Sequence, residues 1–132
     1  MFDRLDERAI QKVSGPSWAP LREAFLEISR MLLSVAPEAR AELTTIYVKY
    51  CTNRAGTEVY AVAWLKTSKE IVVGMSLPES VEDPRLGDAR PGMKYKGLTK
   101  YFGVTVENPV PDELEAWARI AYLTATSPKT PE

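Results

Sequence analysis

Apolar residues recur along the chain first at a helical period and then at a strand period. From Trp18 to about Val35 they fall at Trp18, Leu21, Phe25, Ile28, Met31, Leu32 and Val35. Steps of three and four put them in one stripe, so the segment is expected to be an amphipathic helix with one buried face. Ser17 is placed to cap it, and Pro37 to end it. A short charged helix is expected before it, over 3–13, with the break at Ser14–Ser17.

The period then changes to two. "TTIYVKYC" (44–51), "EVYAVAWLK" (58–66) and "IVVGMSL" (71–77) are rich in β-branched and aromatic residues and separated by the short turns "TNRAG" and "TSKE". Three strands with such short connections predict an antiparallel meander. In the third, Ile71, Val73, Met75 and Leu77 share one face, while Val72, Gly74 and Ser76 share a smaller, more polar one. A fourth strand is expected in "YFGVTVE" (101–107), with Phe102, Val104 and Val106 inward. The chain then reads as a second amphipathic helix. Pro111, Asp112 and Glu113 suit its start, and Leu114, Trp117, Ala118, Ala121, Tyr122 and Ala125 form its stripe. A polar tail occupies 127–132.

This order predicts a single α+β domain over 1–132. It would be a two-layer sandwich whose antiparallel sheet of four strands carries the N- and C-terminal helices on one face. A short fifth strand would fall near Met93–Tyr95. One segment has no regular pattern. Asp83 to Tyr101, "DPRLGDARPGMKYKGLTKY", leads from the third strand into the fourth. In an antiparallel sheet covered on one side, such an excursion is a natural place for function.

Charge and composition change the picture mainly by exclusion. The net charge is −1 over 132 residues, which gives no global pull toward nucleic acid or membrane. There is no histidine. Ser-His-Asp and Cys-His nucleophiles are therefore excluded, as are histidine-ligated zinc and iron. No phosphate-binding P-loop, dinucleotide glycine fingerprint, CxxC pair or calcium loop is present, and no metal or cofactor is expected. Acid–base chemistry would fall to a carboxylate, Lys, Tyr or Cys51. The single cysteine fits a reducing cytoplasm, and no apolar run approaches the ~20 residues of a membrane span.

The ordering of residues from "IYVKY" through "VYAVAWLKTSKEIVVGMSL", "DPRLGDA" and "GLTKYFGVTV" to "DELEAWARIAY" resembles a bacterial family of domains of unknown function, sometimes labelled a predicted transport protein. The resemblance covers about 46–122 and rests on order and spacing. That family often carries a phenylalanine where Tyr60 stands. The resemblance implies an α+β domain and transfers no activity, substrate or catalytic residue. In layout alone, the chain is also similar to small bacterial "double-wing" domains, some suspected of binding nucleic acid.

From Arg85 to Lys100, the five cations Arg85, Arg90, Lys94, Lys96 and Lys100 accompany a single acid, Asp88, and the last three interleave with Tyr95 and Tyr101. Cations beside aromatic faces suit an anionic small ligand or, as the alternative, a single-stranded nucleic acid. These seven residues are the candidate ligand site; the plainer alternative is a solvated loop with its tyrosines packed inward. Arg85 also stands two residues after Asp83, so an internal pair competes with a ligand clamp. Cys51 has Lys49 two residues away, yet a buried structural thiol is the stronger reading. Tyr60, Val62 and Trp64 share strand parity. If the helices cover the opposite face, they form an exposed apolar row fit for a homodimer or partner protein; the other reading is that this row faces the helices. Asp112, Glu113 and Glu115 are accounted for by the helix start. A binding or protein-interaction module leads, and an enzyme using a carboxylate or tyrosine is the competing class. A strongly perturbed Asp83 or Asp88 in a closed pocket would favour the enzyme.

Overall fold

The computed structural model describes residues 4–52 and 58–126. The turn residues Asn53 and Gly56 and the tail 127–132 lie outside them. The elements run α1 (Glu7–Lys12), a 3₁₀ turn (Pro16–Trp18), α2 (Ala19–Leu33), β1 (Arg40–Leu43), β2 (Tyr47–Cys51), β3 (Val59–Thr67), β4 (Glu70–Met75), β5 (Lys100–Val104) and α3 (Leu114–Thr126). The strands form one antiparallel sheet in chain order, β1-β2-β3-β4-β5. This is the expected α+β sandwich, with five strands.

The helix stripes bury as their spacing dictates. Leu21, Phe25, Ile28 and Leu32 of α2 and Leu114, Trp117, Ala118 and Ala121 of α3 pack with Val48, Ala61, Ala63, Leu65, Ile71, Val73, Met75, Phe102 and Val104 on one side of the sheet. The exception in the α2 stripe is Ser29, buried because its hydroxyl meets Tyr50 Oη at 2.9 Å. A buried hydroxyl with that partner escapes the cost of an unsatisfied group. Ser17 makes no cap, because α2 is entered through the 3₁₀ turn and carries Pro20 in its first turn.

Four details depart from the sequence pattern. The fifth strand is Arg40–Leu43, ahead of the meander; Met93 makes only an isolated bridge with Arg90. β5 stops at Val104, so Val106 does not turn inward and is 70% exposed. A bulge interrupts β2–β3 pairing: Tyr50 faces Ala61 but Cys51 faces Val59, which leaves Tyr60 as the extra residue. The parity of the row breaks there. Tyr60 turns to the helix side, where its hydroxyl donates to Leu32 O at 2.6 Å and its ring stands edge-on to Tyr122.

The fourth departure concerns the other face. Val62, Trp64, Val72, Leu98 and Tyr101 form a second apolar cluster there, joined by Ile46, Tyr47, Val59, Ala89, Met93 and Tyr95. The excursion lies across the sheet as a flap, and Trp64 beneath it is only 2% exposed. The expected exposed row of Tyr60, Val62 and Trp64 therefore does not exist. Val62 and Trp64 are under the flap and Tyr60 is among the helices, so none of them offers a dimer surface.

Both sheet edges are occupied. At β1, Ala41 N donates to Arg4 O at 2.8 Å and Asp6 N to Ala41 O at 2.9 Å. Leu43 N donates to the Asp6 carboxylate, and Arg8 donates to Leu43 O. At β5, Gly87 and Tyr101 exchange both backbone hydrogen bonds, and Asn108 Nδ2 donates to Gly103 O. These backbone groups are thereby unavailable to a foreign strand.

Candidate functional site

The flap is held by glycines in the sheet beneath it. A Cβ on Gly74 would lie 2.5 Å from the Tyr101 ring, and one on Gly103 would strike the Glu70 carboxylate and Arg90. Without side chains at these two positions, Tyr101 can lie flat across β4, and the Glu70–Arg90 ion pair can cross β5. Tyr101 Oη accepts from Tyr95 N at 3.1 Å and donates to Leu98 O at 3.2 Å. Rings then continue from Tyr101 to Trp64 (5.8 Å), Trp64 to Tyr47 (5.9 Å) and Tyr47 to Tyr95 (5.8 Å). All three separations are favourable for tilted or edge contacts.

The seven expected ligand residues divide into two groups. Arg85 is consumed by the fold. Its Nε and Nη2 each donate to Asp83 at 2.8 Å, Nη2 lies 3.1 Å from Glu113, and the guanidinium sits 5.2 Å from the Trp117 ring centre. The internal pair, extended to α3, ties the start of the flap to the helix layer. Arg90 is held by Glu70, and Lys100 donates to Val81 O. Tyr101 is buried and Tyr95 half-buried, its ring edge-on to Tyr47. Of the seven, only Lys94 and Lys96 are both exposed and without an ion pair among the described residues. They flank Tyr95 between Gly92 and Gly97, both at positive φ (77° and 93°). Those values favour glycine and let the flap reverse direction at each end.

Lys66 was missed by the sequence reading. It reaches the flap from β3, close to where a Cβ on Gly92 would sit. The signal was available: it stands two residues beyond Trp64 in the same alternation.

The titratable groups with shifted values are engaged in the fold. Asp83 is lowered to about 2, chiefly by the hydrogen bonds from Arg85, and is therefore ionised at neutral pH. Its carboxylate is half-buried at the flap's start, with both oxygens accepting from Arg85. Burial pushes the Tyr50 and Tyr60 hydroxyls up, and each is a hydrogen-bonded core group. Burial also pushes the Cys51 thiol up; Glu42 adds to the rise, while Arg40 and Lys49 oppose it. Lys49 instead lies 3.9 Å from Glu42. No group of three or more His, Cys, Asp or Glu among the described residues is arranged to hold a metal ion.

The Asp83 shift has a measurable sign. Its folded value lies below the ordinary 3.8, so its contribution to stability is complete above 3.8 and lost as pH falls toward about 2. Asp6, lowered to about 2 mainly by Arg8, adds to the loss in the same window. Denaturant midpoints measured down this range should fall less steeply for Asp83→Asn than for the parent chain, and less again for Asp6→Asn with Asp83→Asn. Equal slopes for all three would contradict the pairing.

No family model, curated protein or solved structure matches the chain, so the site is read from its geometry. Among the described residues, no helix is long and apolar enough to cross a membrane.

Proposed function

We propose that the protein is a small cytoplasmic binding module that meets an anionic small ligand on the outer surface of the flap. The observation that supports this reading is the division among the cations. Arg85, Arg90 and Lys100 are neutralised or hydrogen-bonded internally, whereas Lys94 and Lys96 face water from a backbone fixed by Tyr95 and Tyr101. A pair of ammonium groups on an anchored segment loses less freedom on binding than one on a free loop. Lys66 supplies further positive charge at the Gly92 end.

A small anion is favoured over a nucleic-acid polymer. Stacking of successive bases needs open aromatic faces. Tyr101 has none, and Tyr95 offers only its exposed margin. The ionised state of Asp83 and the engagement of both its oxygens by Arg85 favour binding over carboxylate catalysis.

Titration calorimetry with inorganic pyrophosphate, ATP and a single-stranded oligonucleotide, each at several salt concentrations, tests the reading. Binding of the small anions should weaken with salt. Lys94→Ala and Lys96→Ala should each lower affinity about 2–5-fold, the scale of an exposed charge pair. Arg90→Ala, checked for retained fold, should leave affinity near that of the parent. Absence of salt-sensitive affinity for any of the three probes would overturn the proposal.

A further inference from the structure

On the helix side, away from Lys94 and Lys96, a groove runs between the start of α2 and the chain that leaves β5. Two adjoining hollows of about 440 and 430 Å³ share Pro20, Thr105 and Val106. Their apolar walls come from Pro20, Leu21, Ala24, Val106, Pro109 and Val110. Volumes of this size hold a few side chains.

Val106 is the most exposed large apolar residue among those described. It is fixed there. Thr105 N donates to Asn108 O at 3.0 Å and Asn108 N returns to Thr105 O at 3.2 Å, while the Asn108 side chain donates to Gly103 O at 3.0 Å. Prolines 20 and 109 stiffen both walls. An apolar side chain held in water by a closed turn, beside a rigid apolar hollow, is prepared for contact before any partner arrives.

Charge selects the partner. Glu23 and Glu27 stand on the α2 wall and Glu107 on the turn. Glu27 already holds Arg30, but Glu23 and Glu107 have no ion pair among the described residues. Among the described residues lining the groove the single cation is Lys69, in the same hollow as Glu107 and not in the one that Glu23 borders. We propose that this groove docks a short segment of a partner protein that carries apolar side chains next to lysine or arginine. The apolar side chains fill the hollow beside Val106, and the cations meet Glu23 and Glu107.

The test uses a fluorescein-labelled hexapeptide, Lys-Leu-Pro-Leu-Val-Arg, and its counterpart with both cations replaced by glutamate. Binding is read by anisotropy and placed by amide chemical shifts of the full chain. The basic peptide should bind and shift the amides of Ala24, Val106 and Glu107. Val106→Asp and Glu23→Lys with Glu107→Lys should each weaken it about fivefold or more. These positions are at the surface, and circular dichroism confirms that the variants fold. The proposal is overturned if the acidic peptide binds equally, if neither peptide binds, if the shifts map elsewhere, or if both variants bind like the parent. Self-association through the same residues in sedimentation would also overturn it, identifying the occupant as a second copy.

Discussion

Replacing Tyr101 with alanine is expected to cost about 3–5 kcal/mol, the scale of removing a buried aromatic ring from a packed core. The ring lies flat over Gly74, stacks at a tilt on Trp64, and holds Tyr95 N and Leu98 O through its hydroxyl. Tyr101 is thus the main attachment between flap and sheet. Its loss should show first as faster amide exchange at Gly87, Tyr95 and Leu98, whose hydrogen bonds lie in or on the flap. Amides of β2 and β3 should exchange by the slow global route and change only with overall stability. Tyr101→Phe keeps the ring and should cost about 1–2 kcal/mol, the price of leaving its partners unpaired. If Tyr101→Ala unfolded no faster than Tyr101→Phe, the flap would be held by something else.

The second large effect comes from the opposite kind of change. Gly74→Ala should destabilise by about 1–3 kcal/mol, because its Cβ falls 2.5 Å from a ring pinned at both its face and its hydroxyl. Gly103→Ala meets the ends of Glu70 and Arg90, which can swing aside, and should cost less. The two changes on Gly74 and Tyr101 are coupled. In a Tyr101→Ala background the clash is gone, so Gly74→Ala should be close to neutral there. Denaturant melts of the two single variants and the double variant give the coupling directly. Additive effects would mean that the glycine serves some purpose other than receiving the ring.

The helices and the inner sheet face were legible in the sequence because their signals are local. The α2 stripe and the alternation of Ile71, Val73 and Met75 each depend on residues within a few positions of one another. The first strand was not legible, since Arg40, Ala41 and Glu42 are poor strand formers that pair because Arg4–Asp6 and β2 lie on either side. Tyr60 was misplaced because one bulged residue reverses parity, and no residue type at Val59–Ala61 announces a bulge. The excursion was legible as a segment without regular pattern, whereas its packing onto the sheet was not. Its cations read as available from spacing alone. The Asp83–Arg85 pair was legible from its spacing, but Glu113, which also engages Arg85, and Glu70, which holds Arg90, are distant along the chain and brought close only by folding. Val106 was expected inward because alternation was continued past the last paired residue of β5.

The filled margins of the sheet carry one more consequence. With Arg4–Asp6 seated along β1 and Gly87 and Asn108 along β5, a visiting peptide finds no ribbon to extend. Copies crowded together therefore gain little from lining up edge to edge.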